Sequence, residues 1–342
     1  MSAAVGEGGS EDRTSHAGVE WMEHHQVALY IAALAFGAVV GLVWPQVAAP
    51  AGLMITPVLA LLLYATFLGV PLDRVGRAFK DWRFLSTVLA VNFVTVPLVV
   101  WPLSRIVAHD RALLLGVLLV LLTPCIDYVI VFSGQAGGDR ERLLAATPLL
   151  MLTQMLLLPL YLWLFVGPDI VGSVDFAPFV EAFGLIIVLP LVMAWFTQLA
   201  AARTLVGRRV GQFFMSGMVP LMVATLAVVV ASQVAGVGER LGSLLLTVPV
   251  YVLFATVMVV VGMLASRLAD LDTAGRRAVV LSGVTRNSLV VLPLALALPA
   301  AFDLAPLAVV TQTLVELLAM VILIRVVPRL LSDAPDRGHP LP

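Results

Sequence analysis

The chain has 342 residues, of which 61% are hydrophobic and 12% charged, with a mean hydropathy of +1.05 and a net charge of −1. A soluble domain is nearer half apolar and a quarter charged, so most of this chain is suited to lipid, and no basic tract offers a surface to nucleic acid. The single cysteine, Cys125, excludes an internal disulfide and any multi-cysteine metal site.

Residues 1–26 are polar and acidic, with Arg13 the only Lys or Arg. They lack the positive start and apolar core of a signal peptide and read as a flexible cytoplasmic tail that is kept. His24 and His25 precede the first apolar stretch and read as interfacial. Stretches long enough to span a bilayer as helices then follow at 27–44, 49–71, 84–107, 112–134, 143–166, 178–201, 212–234, 241–266, 277–298 and 304–327. Residues 328–342 form a second tail. With both termini in the cytoplasm, sixteen of the twenty Lys and Arg fall in inner segments and three in outer loops (Arg105, Arg111 and Arg240). That asymmetry is a positive-inside bias. It predicts a multi-pass protein of the plasma (inner) membrane. The remaining basic residue, Arg286, lies inside a span.

Two spans are interrupted by groups that lipid excludes. The fourth carries Thr123-Pro124-Cys125-Ile126-Asp127-Tyr128 and the ninth Gly283-Val284-Thr285-Arg286-Asn287-Ser288. An ionisable side chain at such depth costs at least ~2.5–3.5 kcal/mol unless it meets a partner or a wet cavity. Pro124 removes an amide donor and opens its helix, and the freed backbone groups must meet protein, water or ligand. In the ninth span Gly283 and Asn287-Ser288 supply the irregularity, with Pro293 following. A plain proline kink is the bland reading of Pro124, but such a kink does not require Asp127.

The fifth and tenth spans are alike. Residues 148–156 (PLLMLTQML) align with 306–314 (PLAVVTQTL), sharing Pro, Leu, Thr, Gln and Leu at one offset. The same offset carries Asp127 to Thr285 and Tyr128 to Arg286, so the two breaks superimpose. The second and seventh spans each hold an interior proline, Pro57 and Pro220. Five helices per repeat is odd, so the second half enters the membrane from the opposite face. The expected fold is an all-α membrane protein of ten transmembrane helices. It consists of a five-helix repeat over 27–166 and an inverted repeat over 178–327, with broken, crossing fourth and ninth helices. Paired breaks of this kind mark the substrate site of secondary transporters.

The run Pro124-Cys125-Ile126-Asp127-Tyr128-Val129-Ile130-Val131-Phe132, ending Ala136-Gly137-Gly138-Asp139, resembles the fourth-helix signature of arsenite efflux permeases. These belong to the bile acid/arsenite/riboflavin transporter superfamily. Leu314-Val315-Glu316 is similar to their Leu-Val-Glu on the last helix. The resemblance implies expulsion of trivalent arsenite or antimonite, usually in exchange for protons. It also implies Cys125 as the metalloid contact and Glu316 as the last-helix glutamate. The ninth span departs from the pattern, with Arg286-Asn287-Ser288-Leu289 where those permeases carry Asn-Asn-Phe-Glu. Asn287-Ser288 looks more like the Gln-Asn-Ser of the sodium-coupled bile-acid branch.

The residues themselves leave alternatives open. A cysteine thiolate suits a soft centre, although a lone buried cysteine is also an ordinary small hydrophobe. Asp127 and Arg286 are either a structural salt bridge or a proton carrier and its modulator. Arg286 alternatively answers an anionic cargo, which a neutral arsenite molecule would not need. Pro124, Cys125, Tyr128, Arg286, Asn287 and Ser288 are the candidate substrate contacts, with Asp127 and Glu316 the candidate coupling groups. Asn92, Thr153, Gln154, Thr311 and Gln312 either line the same cavity or glue helices together. Glu181, near a span end, reads as snorkelling. The leading expectation is a proton-coupled exporter of trivalent arsenic or antimony. The alternative is a sodium- or proton-coupled symporter of an organic anion. No cofactor is expected beyond the coupling proton or sodium, and the partners are a small inorganic or organic solute and the bilayer. An enzyme is not expected, because no nucleophile–base pair or metal-ligand set converges and all five histidines lie outside the spans. The oligomeric state is not encoded in any of these features.

Overall fold

The computed structural model describes residues 21–22, 25–69, 79–126, 128–167, 183–234 and 241–332. Every regular element among them is helical. Leaving aside short 3-10 turns and a π segment at Phe183–Val188, they are, in chain order, α1 (Gln26–Val43), α2 (Ala48–Gly69), α3 (Trp82–Ala90), a π-turn (Val91–Thr95), α4 (Val96–Ser104), α5 (Arg111–Leu121), α6 (Tyr128–Gln135) and α7 (Arg140–Val166). There follow α8 (Leu189–Arg203), α9 (Leu205–Ser216), α10 (Met218–Gln233), α11 (Leu241–Leu245), α12 (Thr247–Leu268), α13 (Thr273–Val284), α14 (Ser288–Leu296) and α15 (Leu304–Leu330). Among the described residues five helices are long and apolar enough to cross a membrane, and the bent α9–α10 pair makes a sixth.

The helices group into two compact units that each draw on both halves of the chain. The first holds α1, α2 and α8–α10. In it α1 meets α10 through small residues. A Cβ on Gly37 would stand 2.5 Å from the Ala227 carbonyl oxygen, and one on Gly41 2.6 Å from that of Ala231. Such close backbone approach is how helices associate where lipid offers no hydrophobic gradient. The Gln198 amide donates to the carbonyls of Phe67 and Leu68, both at 3.1 Å, closing the C-terminal end of α2.

One sequence expectation changes in this unit. The seventh span was to run over 212–234 with Pro220 in its interior. Instead α9 and α10 meet at Gly217 with a 46° bend, which places Pro220 in the first turn of α10. There the missing N–H has no intrahelical role. Helix α9, begun by the Thr204 side chain accepting from Gly207 N, also fills 205–211, which the sequence reading leaves between spans.

The second unit holds α3–α7 and α11–α15. Its cation-rich end is tied by Arg142, whose guanidinium lies 3.1 Å from both Asp81 and Asp139 and also reaches Asp272. Arg277 donates to the Leu331 carbonyl at 2.8 Å, capping α15. Helix α5 is only about 17 Å long and α6 about 12 Å, so neither half crosses a bilayer core by itself. The same holds for α13 and α14. The gap between each pair of halves is where the sequence breaks fall.

Candidate functional site at the helix crossing

The two breaks meet as antiparallel extended chain, with Pro124 opposite Arg286. Cys125 N donates to Thr285 O at 3.2 Å and Asn287 N to Thr123 O at 2.8 Å. These bonds flank Pro124–Arg286, which is therefore the non-hydrogen-bonded pair of the ladder. Proline fits there because no ladder bond needs its missing N–H. Arg286 N, by the same geometry, points away from the ladder and donates to Glu316 Oε2 at 2.8 Å. Glu316 also accepts from the Gln312 amide one turn before it on α15.

Opening the helices leaves carbonyls without their usual donors. Leu121 O would bond Cys125 N in a continuous helix, Ser282 O would bond Arg286 N, and Gly283 O would bond Asn287 N. All three of those amides are used elsewhere at the crossing. The Arg286 guanidinium takes the three carbonyls instead. Nη1 donates to Leu121 O at 3.2 Å, and Nη2 to Ser282 O and Gly283 O, both at 2.8 Å. Nη2 also reaches Asn92 Oδ1 at 2.7 Å, and the group lies 5.4 Å from the Phe254 ring centroid. Arg286 is 0% exposed, and these protein oxygens and the aromatic face are among the partners of its buried charge.

Asn92 is set in place by the π-turn. Pro97 cannot donate to Phe93 O, the carbonyl four residues back, and the Tyr161 hydroxyl donates to that oxygen instead. The widened turn carries Asn92, whose amide donates to Val88 O and Ser282 Oγ, both at 3.0 Å. π-turns recur at functional sites in this way. Sequence reading named Asn92 only as a possible lining residue and did not single out Ser282 or Phe254. The Val-Asn-Phe-Val-Thr-Val-Pro run, with a polar residue five before a proline, is the signal available for Asn92.

The remaining candidates divide. Cys125 is fully buried within the ladder. Asn287 caps α14, its Oδ1 accepting from Val290 N at 3.2 Å. Asp127 lies outside the described residues, as do Glu181 and His24. Tyr128 begins α6, but its side chain is also outside the description. Several buried polar atoms make no hydrogen bond to the described protein: both amide atoms of Gln154, Asn287 Nδ2, Ser288 Oγ and Gln312 Oε1. Each orphan costs about 1–3 kcal/mol unless water or a ligand reaches it. Among the described residues no group of three His, Cys, Asp or Glu is placed to hold a metal ion.

No curated protein matches the chain. The model of the sodium bile acid symporter family matches residues 56–240, more than half of the chain, including the first break and stopping before the second. With its apolar helices and buried polar crossing, the chain belongs to the sodium bile acid symporter family, and it is a multi-pass membrane protein of transporter type.

Proposed function

We propose that the protein is a secondary active carrier that expels trivalent arsenic or antimony in exchange for protons by alternating access. It would have ten spans in a five-plus-five inverted repeat and sit in the plasma membrane with both termini in the cytoplasm. The observation that carries this reading is the environment of Arg286. Its guanidinium is directed at three carbonyls and Asn92, so its charge is answered within the protein. A cargo at the crossing then needs no negative charge, which fits uncharged arsenous acid. The Cys125 thiol, in the same ladder, supplies a soft sulfur contact. The orphaned amide and hydroxyl atoms of Gln154, Asn287, Ser288 and Gln312 suit the hydroxyls of such a solute.

Proton coupling is assigned to Glu316 and Asp127. Glu316 accepts from the backbone N–H of the second break. Protonation weakens that acceptor and loosens the link between α15 and the start of α14, which gives proton movement a route to the crossing.

The test is arsenite uptake into everted vesicles under an imposed proton gradient, parent against Cys125→Ser. Uptake driven by the gradient and lost in the variant supports the reading; no uptake by correctly inserted protein overturns it. The second reading is a sodium- or proton-coupled symporter of an organic anion. It draws on the name of the matched family and on the Asn287-Ser288 pair. Uptake of organic anions, in the absence of any arsenite movement, would replace the first reading by this one.

A further inference from the structure

Discontinuous transporter helices commonly use their C-terminal ends and unwound carbonyls to coordinate a coupling cation. In this chain such an oxygen set exists and is occupied by a side chain. Helix α5 ends at Leu121 and α13 at Val284, and each helix end carries roughly half a negative charge from its unpaired carbonyls. The open carbonyls of these two ends favour a positive group placed directly among them. The Arg286 guanidinium supplies it, bonded to Leu121 O, Ser282 O, Gly283 O and Asn92 Oδ1 at 2.7–3.2 Å. The donors those carbonyls would have had in continuous helices are bound to Thr285 O, Glu316 and Thr123 O. A cation, or a donor as versatile as guanidinium, can satisfy all four oxygens at once.

We infer that Arg286 is a tethered cation that takes the place of a bound coupling ion at the crossing, so that this carrier neither binds nor requires sodium there. A tethered cation cannot leave with the cargo. Its charge stays in the protein through every conformation, and energy coupling falls to groups that exchange protons. This rests on the carrier reading above only for what is moved. The site itself is assayed without cargo.

The test uses the purified full-length protein, with its thermal midpoint followed by tryptophan fluorescence. Sodium chloride is replaced by choline chloride at constant ionic strength. The parent is expected to hold the same Tm in both salts. Arg286→Ala and Arg286→Gln, which empty the oxygen set of its cation, are expected to gain a saturable rise of about 2–4 °C with sodium. A few millimolar guanidinium ion should produce the same rise, whereas Arg286→Lys keeps the charge and should stay insensitive. A saturable sodium shift in the parent overturns the inference. So does an equal response to sodium and choline in folded Ala and Gln variants. If neither variant can be purified, the parent titration decides alone: a flat response supports the tethered cation and a saturable one rejects it. Absence of arsenite transport, by contrast, would remove the cargo assignment and leave these outcomes unchanged.

Discussion

The two breaks of the second unit are built by opposite means. The first is opened by a residue that lacks a donor, Pro124, and contributes mainly backbone: Thr123 O, Cys125 N and the Leu121 carbonyl. The second has no proline at the break and is held by side chains, with Arg286 knitting carbonyls from both helices and Asn287 capping α14. A proline removes a requirement, whereas an arginine satisfies several. The first break therefore stands largely on what it does not need, and the second depends on a network reaching α3, α5, α12 and α15.

That contrast is broken most directly at Arg286. Arg286→Met leaves three carbonyls and Asn92 Oδ1 without their guanidinium donor in an apolar interior, and should cost about 3–5 kcal/mol in unfolding free energy. Denaturation in mixed micelles measures it. Asn92→Ala removes one acceptor of the guanidinium together with a donor to Ser282. A loss of about 1.5–3 kcal/mol is expected by the same assay, since one of its partners is charged.

The first break is sharpened through packing instead. A Cβ on Gly116 of α5 would come within 2.6 Å of the Ala305 carbonyl oxygen of α15. Gly116→Val should cost about 1–3 kcal/mol through overpacking, read as a lowered midpoint.

The smallest and most discriminating effects fall on the glutamines at matching repeat positions. Gln312 donates to Glu316, whereas neither amide atom of Gln154 has a described protein partner. Gln312→Leu should cost about 1–2 kcal/mol, and Gln154→Leu should leave stability unchanged within ~0.5 kcal/mol or raise it. Transport should fall in both. Equal destabilisation of the two would show that Gln154 is structural glue rather than part of the cargo path.

Much of this was readable from residue order. Apolar runs located the helices, because burial in lipid constrains composition over about twenty residues at a time. Pro124, Cys125, Arg286 and Asn287 stood out as misplaced polar or helix-breaking residues, and the structure brings all four into one ladder. The division of α9 from α10 at Gly217 was not readable, since glycine is common in spanning helices and Pro220 nearby reads as an interior proline of the seventh span. Nor was the π-turn at Asn92, where the Phe93 carbonyl, which Pro97 cannot serve as donor, accepts from the distant Tyr161 hydroxyl.

The sequence by itself determined an all-helical membrane chain, the location of its two interruptions, and the residue types that had to be satisfied there. These follow from local chemistry: a proline cannot donate, and an arginine cannot lie bare in hydrocarbon. Only the tertiary structure decided which group answers which. Arg286 meets Asn92 across 194 residues of chain and Leu121 across 165, and no local pattern fixes partners at that separation. Hydrogen bonds are directional within a few tenths of an ångström, so the choice between a guanidinium that awaits an anion and one that neutralises two helix ends rests on how the helices pack.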